Sequence, residues 1–110
     1  MNRGAAAEAL AAEFLAMRGL TIVARNYRCR GGEIDLIARD REMLVFIEVR
    51  LRSGAAFGGA AASITPAKRL RLKRAAGHYL AALGREPPCR FDAILLDTLD
   101  SRRIEWLVDV

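Results

Sequence analysis

Residues 31–52 read GGEIDLIARDREMLVFIEVRLR. Both halves alternate as a strand with two unlike faces should, and the polar triplet Asp40-Arg41-Glu42 between them has the character of a tight turn. The stretch is therefore expected to fold as a β-hairpin, with one strand over residues 33–39 and the return strand over residues 43–50. Ile34, Leu36 and Ala38 share one face of the first strand. Val45, Ile47 and Val49 share one face of the second. Directly opposed residues of an antiparallel pair point the same way, so merging these two apolar sets fixes the parity of the register. Glu33, Asp35, Glu48 and Arg50 then fall together on the other face.

That parity puts Asp35 and Glu48 opposite each other or on a diagonal, with Cβ atoms roughly 5 to 8 Å apart. Ile37, Leu44 and Phe46 nearby are apolar, so the two carboxylates repel in a poorly solvated setting. Two explanations fit the spacing. In one, this is an ordinary solvent-facing strand surface on which Arg50 neutralises Glu48. In the other, a divalent cation between the acids turns their repulsion into a ligand set. Mg²⁺ takes one or two carboxylates and fills its remaining positions with phosphate and water oxygens.

The rest of the chain supplies a setting for that hairpin. Its 110 residues suffice for one domain, 1–110, with a modest core of its own. The net charge is +5 and the pI about 10.0. A positive balance of this size favours a polyanionic partner, most simply nucleic acid. Arg25, Arg28 and Arg30 stand beside the acidic hairpin, as phosphate contacts or as solvated charges. Cys29 and Cys89 are far apart and too few for a zinc site, which suits two free thiols in a reducing cytosol. Glu8 and Glu13 interrupt the apolar N-terminal stretch, so no signal peptide is expected, and no segment is apolar for long enough to span a membrane. The expected location is cytoplasmic.

Residues 2–18 are Ala-rich and free of proline, and Gly19 ends them, as in a helix. Leu10, Phe14 and Met17 make an apolar stripe along it. Glu8 lies among Ala11, Ala12 and Leu15, and Glu13 beside Leu10 and Met17; helical spacing does not choose between the two acids. Residues 21–27 form a first strand. Residues 53–62, SGAAFGGAAA, form a small-residue loop, either a plain connector or a flap over a substrate. Thr65 as N-cap and Pro66 at the first position open a second helix that Gly84 ends. Leu72, Ala75, Ala76, Tyr79, Leu80 and Leu83 are its buried stripe, and Lys68 and Arg69 continue that stripe toward the sheet's end. Arg71, Arg74 and His78 line a different face, with His78 on the surface. Residues 90–97, RFDAILLD, form a nearly continuous apolar strand, as in a sheet covered on both faces. A turn at Asp100-Ser101 leads to a last strand over residues 103–108, where Trp106 serves packing. The order is α-β-β-β-α-β-β: an α/β chain with a mixed β-sheet flanked by helices.

An early helix carrying Glu8, then ARNYR, GEIDLIA, LVFIEVR, a helix opening with Lys68, and RFDAILLD together resemble the YraN-like family of small bacterial proteins. That family is itself similar to archaeal Holliday-junction resolvases, within the restriction-endonuclease-like PD-(D/E)xK nuclease superfamily. The resemblance implies a restriction-endonuclease-like fold and a Mg²⁺- or Mn²⁺-dependent endonuclease that hydrolyses phosphodiester bonds in branched or structured DNA. It makes Asp35 and Glu48 the metal-binding acids. It puts Arg50 in the position of the catalytic lysine and makes Glu8 the helix acid of resolvase-like members. Arg25, Arg28, Arg52, Lys68 and Arg69 would contact nucleic acid, and a homodimer would suit a two-fold substrate. Two positions depart from the superfamily pattern. Ile34 replaces the usual proline before the first acid. Arg50 replaces a lysine, and arginine does not give up its proton. The second departure motivates an alternative, a nucleic-acid-binding module of the same fold with little or no turnover. A protein–protein adaptor with merely charge-paired carboxylates is a third.

Overall fold

In the computed structural model the described residues are 3–51, 65–97 and 104–110. They form α1 (Arg3–Met17), β1 (Thr21–Cys29), β2 (Gly32–Asp40), β3 (Met43–Leu51), α2 (Pro66–Leu83), β4 (Cys89–Leu96) and β5 (Ile104–Leu107). The strands make one five-stranded mixed sheet in the order β1-β2-β3-β4-β5. Only β3 and β4 run parallel, which is why a crossover containing α2 connects them. Arg52, the small-residue loop and the Asp100-Ser101 turn lie outside the described residues. No helix among those described is long and apolar enough to cross a membrane.

The hairpin forms with the expected parity. Asp40 pairs with Met43, Ala38 with Val45 and Leu36 with Ile47, around a two-residue turn in which Arg41 takes a φ of 58°. The two helices cover opposite faces of the sheet. Leu36, Ala38, Val45, Ile47, Val49, Ile94 and Leu96 join α1 in one cluster. Ile37, Leu44 and Phe46 join α2 in the other.

Ile34 departs from the expected parity, for it packs with Ile37, Phe46 and Leu72 on the α2 side. The alternation breaks one residue later. The β1–β2 ladder pairs Arg25 with Leu36 and Tyr27 with Ile34 but leaves the residues between, Asn26 and Asp35, unpaired. Asn26 has a φ of 52°, in the left-handed region that asparagine tolerates better than most residues. Beyond that unpaired step Tyr27 and Ile34 both pack on the α2 side.

The buried side of α1 is also not the one its large residues suggested. Ala7, Ala11, Ala12 and Leu15 are fully buried, Leu10 and Phe14 only flank them, and Met17 is 78% exposed. A face of small residues lets a helix lie close over branched strand side chains, and that closeness outweighs the stripe of bulkier groups. Helix α2 does bury the expected Leu72, Ala75 and Ala76. Leu83, at its end, is exposed. Thr65 caps α2 by accepting from the Lys68 amide at 3.2 Å, and Gly84 closes it in the left-handed conformation with its amide on the Leu80 carbonyl. Gly32 sets how closely α2 can approach: a Cβ there would stand 2.1 Å from the Arg71 carbonyl oxygen.

Within the apolar run of β4, Asp92 is completely buried. Its carboxylate accepts from Arg90 Nε at 3.1 Å, from Trp106 Nε1 at 3.0 Å and from the Asp109 amide at 2.9 Å. Trp106 packs edge-on against Phe14 of α1. His78 is exposed but not isolated, since the Tyr27 hydroxyl hydrogen-bonds its Nδ1 and ties β1 to α2.

Candidate functional site

The β2–β3 ladder ends at the Leu36–Ile47 pair. One step beyond, the Asp35 side chain takes over, and its Oδ2 accepts the Val49 amide at 2.8 Å. A backbone donor that the ladder leaves open is thereby satisfied, and one carboxylate oxygen is fixed in place. Glu48 comes from the facing position on β3 and shares the same end of the hairpin.

Both acids hold their protons unusually well. Burial is the main cause at Asp35, whose pKa is pushed up to about 6; the Val49 hydrogen bond opposes the rise, and the charges of Glu8 and Glu33 add to it. Glu48 is pushed up to about 7, by burial first and then by Asp35, with Arg50 and Lys68 pulling the other way. Arg50 lies 3.7 Å from Glu48, too far for a direct hydrogen bond. Lys68 is pushed below its ordinary value by burial and by Arg50. Strongly shifted carboxylates grouped with cations in a cleft mark a candidate functional site.

An open cavity of about 170 Å³ collects Glu33, Glu48, Arg50, Lys68 and Arg71. Two strands of the hairpin supply its acidic wall together with Arg50, and the first turns of α2 supply Lys68 and Arg71. Glu8 is half-buried on α1 and close enough to Asp35 to raise its pKa, whereas Glu13 is exposed. Arg28 sits at the mouth, 3.7 Å from Glu33. Arg25 is exposed on β1 opposite Leu36, outside the cavity's lining. Arg69 parts company with Lys68: it lines a separate small cavity with Leu72, Lys73, Phe91 and Val110. Arg71 takes the place expected of Arg69. Its position was legible, since Arg71 is three residues after Lys68 and i, i+3 neighbours share a helix face.

Among the described residues, no group of three or more His, Cys, Asp or Glu side chains is arranged to enclose a metal. The donors present are two converging carboxylates with Glu8 nearby. That set does not suit a closed protein cage. It fits Mg²⁺ or Mn²⁺, which are commonly held by one or two carboxylates and completed by substrate and water oxygens.

Comparison with known proteins places this arrangement in a family. Residues 7–96 match the family described as "Uncharacterised protein family UPF0102". A UPF0102 protein of Nitrosomonas eutropha is 57% identical over 106 residues, covering 96% of this chain and 90% of its own length. One of Cupriavidus taiwanensis is 59% identical over 106 residues, 96% of this chain and 79% of the relative. Another, of Methylobacillus flagellatus, is 56% identical over 103 residues, 94% and 90% of the two chains. With most of α1 and all of β1 to β4 inside the match, and relatives more than half identical along nearly the whole sequence, the chain belongs to the UPF0102 family, the YraN-like proteins that its motifs resemble.

Proposed function

We propose that this protein is a divalent-metal-dependent endonuclease acting on branched or structured DNA, built on a restriction-endonuclease-like fold. One observation carries the proposal: Asp35 and Glu48 converge at the end of the hairpin, proton-retaining and repelling each other, beside cations from another element. Such a pair destabilises the fold unless a cation binds between the acids. Acids on β2 and β3, a parallel β3–β4 pair and helices on both faces support the fold assignment.

Asp35 and Glu48 would hold Mg²⁺ or Mn²⁺, with Glu8 behind them. The bound ion would polarise the scissile phosphate and lower the pKa of a coordinated water. The remaining work falls to the chain's own side chains. The Val49 amide fixes one oxygen of Asp35 and leaves the other to bind the ion. Arg50, Lys68 and Arg71 bring positive charge to where a phosphodiester would sit, stabilising charge that develops on it. Arg50 keeps its proton throughout. The lysine that the strand motif lacks is supplied from α2 by Lys68. A homodimer would match the two-fold symmetry of a four-way junction, and two free thiols suit a cytoplasmic protein.

The test is cleavage of a labelled four-way DNA junction with Mg²⁺ or Mn²⁺. Wild type is expected to cut, and Asp35→Asn and Glu48→Gln to lose roughly 10² to 10⁴ in rate, a size usual for loss of a group acting directly in the chemistry. An Asp35→Ala protein that cuts as well as wild type would remove the proposal. The presence of Arg50 favours a second reading, a DNA-binding module without turnover. In that case the junction binds without metal, salt-sensitively, and stays intact.

A further inference from the structure

A larger cavity adjoins the acid pocket. It measures about 470 Å³, is open to solvent, and is lined by Arg28, Cys29, Gly31, Gly32, Glu33, Arg71 and Arg74. Glu33 and Arg71 line both cavities, so this larger groove adjoins the acid pocket. Its floor is the β1–β2 turn, where Gly31 has a φ of 91° and the absent side chain of Gly32 lets the α2 backbone rest on the strand. The stem of Arg74 passes over Gly31: a Cβ there would lie 3.7 Å from Arg74 Cδ. Lys68, Arg71 and Arg74 therefore follow the groove in three-residue steps, each rising about 4.5 Å along the helix.

The charge in this groove is poorly neutralised. Among the described residues Glu33 is the one acid lining the larger cavity, and it stands 3.7 Å from Arg28 and 4.0 Å from Arg71, with all three side chains about half exposed or more. Exposed pairs at such distances are weak and readily exchanged for a better anion. Among the described residues, Arg74 has no carboxylate within ion-pair distance.

We propose that the groove between the Gly31–Gly32 turn and α2, walled by Arg28, Arg71 and Arg74, carries the phosphodiester backbone of the nucleic-acid strand leading away from the acid pocket. The proposal rests on the nuclease-fold reading above and gives the strand its path. Guanidinium groups in a row suit successive phosphates because each offers two parallel N–H donors to one phosphate. Glu33, at the junction of the two cavities, acts as a placeholder that a phosphate displaces.

The experiment measures binding of a fluorescent single-stranded oligonucleotide and a four-way junction in EDTA, over a range of salt concentrations. Arg71→Gln/Arg74→Gln is compared with Lys73→Gln/Arg85→Gln, which removes the same charge from exposed positions elsewhere. The first variant is expected to weaken binding about tenfold and to flatten the log–log salt slope by roughly 1.4 to 1.8, as for two lost phosphate contacts. The second should leave the slope within experimental error, and Glu33→Gln should tighten binding. Equal losses in the two double variants would overturn the proposal, as would no binding by wild type. Displacement of the oligonucleotide by inorganic phosphate at equal phosphate concentration would make the groove a small-anion site and overturn it too. Cleavage assayed on the same proteins separates the two ideas. Binding that depends on Arg71 and Arg74 in a protein that never cuts leaves the groove standing and the endonuclease reading fallen; cutting with unaltered binding in the variant does the reverse.

Discussion

Glu48 and Asp92 are one step apart across the β3–β4 pair, for Asp92 sits beside Ile47. They face opposite sides of the sheet and are treated in opposite ways. Asp92, wholly out of water, accepts from a guanidinium, an indole and a backbone amide. Glu48, partly in water, faces a second carboxylate and has its cation 3.7 Å away. A fully served acid deeper in the protein and an ill-served acid nearer the surface show that this chain can satisfy a buried carboxylate. At the end of the hairpin it does not. Asp92 is a fastening, whereas the Asp35–Glu48 pair, in the function proposed above, is where a cation binds.

The comparison breaks most sharply at Asp92. Asp92→Ala leaves Arg90 Nε, the Trp106 N–H and the Asp109 amide without the acceptor they share. Removing one partner from a buried ion pair costs about 3–5 kcal/mol. Urea unfolding should show the midpoint falling accordingly with little change in slope. A loss under about 1 kcal/mol would mean that Asp92 holds nothing, and the contrast with Glu48 would disappear.

The acid pair should respond with the opposite sign. The folded pKa of Glu48 is raised to about 7 and that of Asp35 to about 6. The folded state therefore binds protons more tightly than the unfolded chain. The stability these groups contribute is fully present below the unfolded values near 4, and it is lost as pH rises through 6 and 7. Metal-free protein should be less stable at pH 8 than at pH 5. Glu48→Gln should gain on the order of 2 kcal/mol over wild type at pH 8 and almost nothing at pH 5, where Glu48 is already neutral. Mg²⁺ should erase that advantage, because it needs the deprotonated acids. Chemical unfolding at the two pH values, with and without Mg²⁺, measures all of this. A Glu48→Gln protein less stable than wild type at pH 8 would make Glu48 a second fastening.

How far these features were legible follows from what each depends on. The hairpin's register depends on period-two alternation and a two-residue turn, both local, so the step that sets Asp35 across from Glu48 could be read directly. The α2 caps, Thr65 and Gly84, are likewise local. The faces of α1 depend on how closely a helix can approach a sheet, and a wheel that weighs residues by size picks Leu10, Phe14 and Met17 over the alanines. Ile34 changes sides because of Asn26, a residue on another strand. Asp92 looked like one polar letter in an apolar run, and its partners are 14 and 17 residues away. Arg69 lies beside Leu72, as the stripe implies, while Arg71 also reaches the cavity of Lys68, because a stripe drawn at 3.6 residues per turn ignores the reach of an arginine one turn away.

The smallest expected effect tests whether Asp92 works through its own partners or through theirs. Arg90 also reaches Asp40, 3.3 Å away at the hairpin turn, and the Asp40 side chain is 38% exposed. If Asp40 only lends a surface charge, Asp40→Asn should cost under about 1 kcal/mol. That cost should shrink further in 1 M salt, where exposed charges are screened within about 3 Å. The Asp92→Ala loss should persist in the same salt, because Asp92 itself is wholly out of water, where salt screens little. A salt-resistant loss at Asp40 approaching that at Asp92 would show that the guanidinium must be held from both ends. The unit to set against the acid pair would then be the Asp40–Arg90–Asp92 triad rather than one carboxylate.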